Sequence, residues 1–144
     1  MMKRSEPVTL TNMCMINKKD KILVLDRNDP VWPGLTFPGG HVEPHESFHD
    51  SVVREIKEET GLEPEFIKGF RYVDEYLLPH NNNIKKQVVY FLAEYSQQKL
   101  VPQAAEISQI ELPPYNAAYK RLEFPGIRAV LQLAERYLQR KAPN

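Results

Sequence analysis

Residues 39–61 read GGHVEPHESFHDSVVREIKEETG, and the fold is decided here. Ser47 is suited to a helix N-cap, with Asp50 three residues on to complete a capping box, and Gly61 is suited to the turn that ends a helix. These two stops predict a helix of about three and a half turns over Phe48–Thr60. At about 100° per residue, Val52, Val53 and Ile56 form its apolar stripe, with Phe48 at the edge. Glu55 and Glu59 fall on the flank of that stripe, and Glu58 sits beside them. Unpaired carboxylates at such a boundary repel one another and resist desolvation, so they call for a cation. Three oxygen donors at i, i+3 and i+4 suit a hard divalent ion such as Mg²⁺. For the fragment REIKEE alone, a solvated acidic face is the plain alternative.

Outward from the helix, Val8–Ile16 alternates, with Val8, Leu10, Asn12, Cys14 and Ile16 on one side, which predicts a half-buried strand. Lys21–Asp26 predicts a second, more fully buried strand. RNDPVWPGLTFPGG then holds three prolines and three glycines, the composition of a structured loop. A loop of that length inside a compact domain points to function. After the helix, FIKGFRYVDEYLLP and KKQVVYFLAEY are β-rich runs joined through HNNNI as a hairpin, and EISQIELP is a short strand. PPYNAAYKRL predicts a short helix entered through proline. FPGIRAVLQLAERYLQRK places Ile127, Val130, Leu131, Ala134 and Leu138 at helical spacing. The expected architecture is one α+β domain over residues 1–144, a mixed sheet sandwiched between helices in an α/β/α arrangement.

Of 144 residues, 42% are hydrophobic and 26% charged, the balance of an ordinary globular protein. Lysine plus arginine equals aspartate plus glutamate at 19 each, so bulk charge gives no attraction to a nucleic acid polymer or an anionic membrane. Cys14 is the only cysteine, which rules out an intrachain disulfide and suggests a core thiol. With no apolar run of membrane-spanning length and no signal-like start, a cytoplasmic location is expected.

Gly40, Glu46, Arg54, Glu55, Ile56, Glu58, Glu59, Gly61 and Leu62 occupy every fixed position of the pattern G-x5-E-x7-R-E-U-x-E-E-x-G-U, where U is a bulky aliphatic residue. This resembles the Nudix box, and the FPGG before it resembles the usual lead-in of Nudix hydrolases. The order of elements from Val8 to Leu138 is similar to that family too. The resemblance implies that Glu55, Glu58 and Glu59 bind metal, with the main-chain carbonyl of Gly40 as a further ligand and Mg²⁺, or Mn²⁺ in its place, as the ion. It implies that Arg54 orients the glutamates and keeps them ionised, and that Glu46 ties loop to helix. Gly39 and Gly40 are glycines where the backbone turns tightly. The implied chemistry is hydrolysis of a nucleoside diphosphate linked to another group. Its general base is either a box glutamate or Glu106, which occupies the place of a later loop glutamate. Five residues beyond Glu106, many relatives carry a tryptophan, and this chain has Glu111.

The two halves resemble different branches. Val8–Leu62 looks like the MutT-like enzymes of nucleotide-pool sanitation, with a nucleoside triphosphate, oxidised guanine nucleotides included, giving monophosphate and pyrophosphate. In that reading the base lies near Leu10, Asn12 and Phe37. From Lys85 onward the chain looks more like the asymmetrical diadenosine tetraphosphate hydrolases, which give ATP and AMP. Lys86, Tyr90 and Tyr115 match positions used there for phosphate and adenine. The triphosphate is the first expectation, and a non-catalytic nucleotide-binding domain is the rival of another class. Arg27 ends a strand directed at the site, where it meets either a phosphate or a loop carboxylate. A homodimer is expected only because relatives are often dimers. His41, His45 and His49 recur every four residues but straddle the expected cap, so they are not read as a zinc site. GLTFPGGH lacks the GK[ST] ending of a P-loop.

Overall fold

The structure, a computed structural model, describes residues 4–27, 34–78, 81–95, 98–101, 107–123 and 125–141. Nine strands and three helices are found among them: β1 (Val8–Lys18), β2 (Lys21–Ile22), β3 (Val24–Arg27), β4 (Gly34–Thr36), β5 (Gly39–His41), α1 (Phe48–Thr60), β6 (Glu65–Phe66), β7 (Tyr72–Leu78), β8 (Asn81–Glu94), β9 (Ile107–Glu111), α2 (Tyr115–Arg121) and α3 (Pro125–Lys141).

A parallel ladder between β1 and β8, from Val8 opposite Lys85 to Asn17 opposite Glu94, forms the spine of a mixed six-stranded sheet. Antiparallel β5 and β2 join β1, and antiparallel β7 and β6 join β8. A second, antiparallel sheet has the order β4-β3-β9. Parallel pairing at the centre of a sheet goes with cover on both faces. Cys14, Ile16, Val89, Phe91 and Ala93 pack with Val52, Ile56 and Leu62 on the α1 side. Met15, Val88, Tyr90 and Leu92 pack with Ala118, Leu122, Val130, Leu131 and Ala134 of the α2–α3 side. The helices thus enclose the sheet as expected, but the middle of β1, from Thr11 to Asn17, is buried on both faces rather than half-buried, while Val8 and Leu10 at its start are exposed. The expected strand over Lys21–Asp26 is divided at Leu23, where the chain passes from one sheet to the other.

The bounds of α1 are as predicted. The Asp50 N–H donates to the Ser47 hydroxyl, and Gly61 is left-handed at φ 75° with its N–H donating to the Lys57 carbonyl. The stripe differs in membership. Val53 is 37% exposed, and Ser51, Glu59 and Thr60 are buried beside Val52 and Ile56. The inner face therefore follows the three- and four-residue steps from Phe48 and excludes the neighbour of Val52. Both C-terminal helices form where proline and apolar spacing place them. Asn81–Asn83, expected in the hairpin turn, belong to β8, and positions 79–80 lie outside the described residues. Among the described residues, no helix is long and apolar enough to cross a membrane.

Candidate active site

Strand β5 lies against β1 with Gly39 opposite Met13 and Gly40 opposite Asn12. A Cβ on Gly39 would stand 2.1 Å from the Asn12 carbonyl oxygen, so only glycine allows the strands to close there. A Cβ on Gly40 would stand 2.6 Å from the Glu55 carboxyl carbon. The carboxylate of α1 thus rests directly on the Gly40 backbone.

Arg54 organises the acidic cluster. Its Nε and Nη2 donate to the two oxygens of Glu46 at 2.9 and 3.0 Å, a bidentate fork. Its Nη1 donates to Glu55 at 2.8 Å and to Glu58 at 3.4 Å, and Nη2 also reaches the His41 carbonyl at 3.2 Å. The Arg54 hydrogen bonds, with help from the Glu43 backbone, lower the Glu46 carboxyl from 4.5 to about 2. Hydrogen bonding by Glu46 in turn raises the Arg54 guanidinium above its ordinary value. One cation within reach of three carboxylates explains how α1 tolerates its acidic crowding.

Glu59 departs from the expected position at the rim of the stripe. It is 2% exposed, with Oε1 accepting from the Gly39 N–H at 2.9 Å and Oε2 from Arg27 at 3.1 Å. Burial of this carboxylate goes with charge-assisted bonds from both sides. Arg27 therefore meets a carboxylate, but one carried by α1 rather than by a loop.

Oxygen-only donors from Glu55, Glu58 and Glu59, beside a backbone that approaches Glu55 closely, fit a hard divalent cation in chemistry. In the structure their carboxylates are drawn to Arg54 and Arg27. Among the described residues no three acidic, histidine or cysteine side chains converge as ligands. His41 lies in β5, His45 in a turn at φ 66°, and His49 packs its ring 5.0 Å from Phe66, so the histidines serve separate parts of the fold. Glu106 lies outside the described residues. Glu111, in the place of a tryptophan, forms a two-pronged ion pair with Arg121.

The expected base-binding residues are mostly core. Phe37 is fully buried with Met15 and Ile22. Asn12 is 1% exposed and donates to the Ser51 hydroxyl at 2.6 Å. Tyr90 and Tyr115 are buried as well, and the Tyr115 hydroxyl donates to Asn17 at 2.8 Å. Asn12, Tyr90 and Tyr115 sit on inward positions of their elements and Phe37 in the link between β4 and β5, which residue type alone does not reveal. Lys86 is the exception. It is half-buried, desolvation lowers its pKa, and it makes no hydrogen bond or ion pair among the described residues. By alternation it shares the face of Val88, Tyr90 and Leu92, opposite to α1, so it is not gathered with the box glutamates. Exposed Tyr76 lies directly across from it on β7, and exposed Tyr72 pairs farther along with Tyr90. The sequence reading missed both, because the β7–β8 register shifts between Leu77 and Leu78, so counting outward from the turn does not pair Tyr76 with Lys86.

This sandwich, with an arginine–glutamate cluster where strand, loop and helix meet, defines a class. The NUDIX domain family matches residues 8–133, and the chain belongs to that family. The chain is 51% identical over 51 residues to the ADP-ribose pyrophosphatase of Methanocaldococcus jannaschii, covering 35% of this chain and 30% of the relative. It is 36% identical over 85 residues to the asymmetrical bis(5'-nucleosyl)-tetraphosphatase of Mus musculus, covering 56% of this chain and 54% of the relative. The chain thus spans about a third to a half of the length of these curated relatives. In fold it is similar to a C. elegans Ap4A hydrolase binary complex, with a TM-score of 0.81 at 20% identity, covering 91% of this chain and 98% of the other.

Proposed function

We propose that the protein is a divalent-cation-dependent pyrophosphohydrolase acting on a nucleoside diphosphate linked to a further group. The observation that carries this reading is the Arg54 cluster, which holds Glu46, Glu55 and Glu58 around one guanidinium beside the Gly40 backbone. Glu55, Glu58, Glu59 and the Gly40 carbonyl would hold the cation. When bound, it neutralises phosphate charge and acidifies the attacking water. Water adds to one phosphorus, the bridging P–O bond breaks, and a carboxylate takes the proton. Arg54 holds Glu55 in place through its 2.8 Å hydrogen bond, and the base is a box glutamate or Glu106.

For the substrate, the accessible cation at Lys86 favours a dinucleoside tetraphosphate, split to ATP and AMP. Lys86 pairs with Thr9 and Gly40 with Asn12, so two strand spacings and three residues separate them, about 14 Å. In a nucleoside triphosphate the phosphates lie at the box and leave none for an ammonium so far away. A polyphosphate with a nucleoside at each end brings both charge and a ring to Lys86 and the Tyr76 opposite it. The name of the mouse relative agrees with this choice. A triphosphate is the second reading, favoured by the MutT-like character of Val8–Leu62, although Asn12 and Phe37 are too buried to form its base pocket.

A panel of nucleotides with Mg²⁺ and product identification tests the proposal. ATP plus AMP from diadenosine tetraphosphate is expected, whereas monophosphate plus pyrophosphate from triphosphates alone favours the second reading. Absence of turnover on every substrate, or undiminished turnover in excess EDTA, overturns the enzyme itself.

A further inference from the structure

Asn12 is a polar residue where packing asks for an apolar one. Its side chain points to the α1 face of β1, in line with Cys14 and Ile16, both fully buried. Its Nδ2 donates to the Ser51 hydroxyl at 2.6 Å, but its Oδ1 is buried with no hydrogen-bond partner among the described residues. An orphaned amide oxygen in a core is destabilising, so stability does not account for this residue.

Its neighbours do. The backbone of Asn12 pairs with Gly40, and its side chain reaches Ser51, one helical turn before Glu55. Ser51 passes the contact on, its hydroxyl donating to the His41 carbonyl at 3.3 Å, where Arg54 also donates at 3.2 Å. One residue of β1 therefore touches strand β5 by its backbone and helix α1 by its amide. The chain of bonds returns to β5 immediately after Gly40. We propose that Asn12, acting through Ser51 and the His41 carbonyl, is a positioning residue that sets the spacing between the Gly40 backbone and the Glu55 carboxylate. The inference rests on the proposed function, since that spacing matters only if the two groups share a cation. An amide–hydroxyl–carbonyl chain has directional bonds at defined lengths, whereas an apolar contact at the same place leaves the helix free to slide.

The test replaces both ends of the strut with groups that pack without polar demands, Asn12→Leu with Ser51→Ala. Loss of the orphaned oxygen is expected to leave the thermal midpoint equal to or above that of the wild type. Mn²⁺ affinity, read by electron paramagnetic resonance of free Mn²⁺ without nucleotide, is expected to weaken by about tenfold. Turnover should fall at limiting Mn²⁺ and recover at high Mn²⁺, with KM for the nucleotide unchanged. Should the double variant not fold, Ser51→Ala alone gives the same readout, because alanine is well tolerated in a helix. A folded variant whose Mn²⁺ affinity equals that of the wild type overturns the positioning role and leaves the proposed function standing. A wild-type protein that takes up no Mn²⁺ and turns over no nucleotide overturns both.

Discussion

Arg27 and Glu59, 32 residues apart in the chain, meet at 3.1 Å and tie the three-stranded sheet to α1. Glu59 is buried and Arg27 only partly, so the carboxylate depends on a cation that solvent can reach. Removing the arginine leaves the negative charge inside. Arg27→Ala is expected to cost roughly 2–3 kcal/mol, below the full value for a buried pair because the guanidinium is partly solvated. Urea unfolding measures this, and Arg27→Ala combined with Glu59→Gln should recover part of the loss.

The two glycines of the box should fail in different ways. In Gly39→Ala the new methyl meets the backbone of β1, which cannot move without opening the sheet, so the protein should unfold at lower temperature. In Gly40→Ala it meets the end of the Glu55 side chain, which can swing aside. That variant should keep its thermal midpoint but need much more Mg²⁺ for turnover. Equal losses of stability in both would contradict the distinction.

Acid should release the Glu46–Arg54 fork. The Glu46 carboxyl is lowered from 4.5 to about 2 in the folded chain, so its contribution is complete above its ordinary value and fades as pH falls towards about 2. Wild type should therefore exceed Glu46→Gln in stability at neutral pH, and the difference should close on acidification through that window. A difference independent of pH would assign the effect to packing.

Lys86 carries a desolvated charge with no partner among the described residues, which disfavours the folded state. Lys86→Met should raise the thermal midpoint and raise KM for diadenosine tetraphosphate, with little change for a simple triphosphate. Such a gain in stability at the expense of binding is the signature of a functional charge. An unchanged KM for both would remove Lys86 from the substrate path.

Glu106 separates the two candidate bases. Glu58→Gln or Glu59→Gln should reduce kcat by about a hundredfold with the fold retained. Glu106→Gln should do likewise if the loop glutamate accepts the proton, and near-normal kcat in that variant returns the role to α1.

Local signals in the sequence were enough for α1, because its ends are set by Ser47 and Gly61, and for the box, because its spacing is rigid. Arg54 was assigned its partners by resemblance, and the structure supplies the fork to Glu46 and the reach to the His41 carbonyl. What escaped depends on pairing. Asn12, Phe37, Tyr90 and Tyr115 have side chains suited either to a ligand or to a core, and only the register of β1 with β8, the cover of α1 over Asn12 and that of α2 and α3 over the other face decide. Glu59 is the same case on a helix, since its burial reflects Arg27 and Gly39 arriving from other strands.

The ladder between β1 and β8 also orders events in time. The Thr11 hydroxyl meets the Gln87 carbonyl across 76 residues of chain, and every residue of the box lies inside the loop that this contact closes. Closing so long a loop costs entropy before any contact is gained, and such topologies fold slowly. Glu55, Glu58 and Glu59 are within a few residues of one another from the start, yet Arg27 reaches Glu59 and Asn12 reaches Ser51 of the same helix only once distant strands have docked. A ligand seated at the box accordingly acts on the closure of the whole sheet. Saturating nucleotide and cation should delay global unfolding and protect amides as remote as those of β8, rather than quieting one loop.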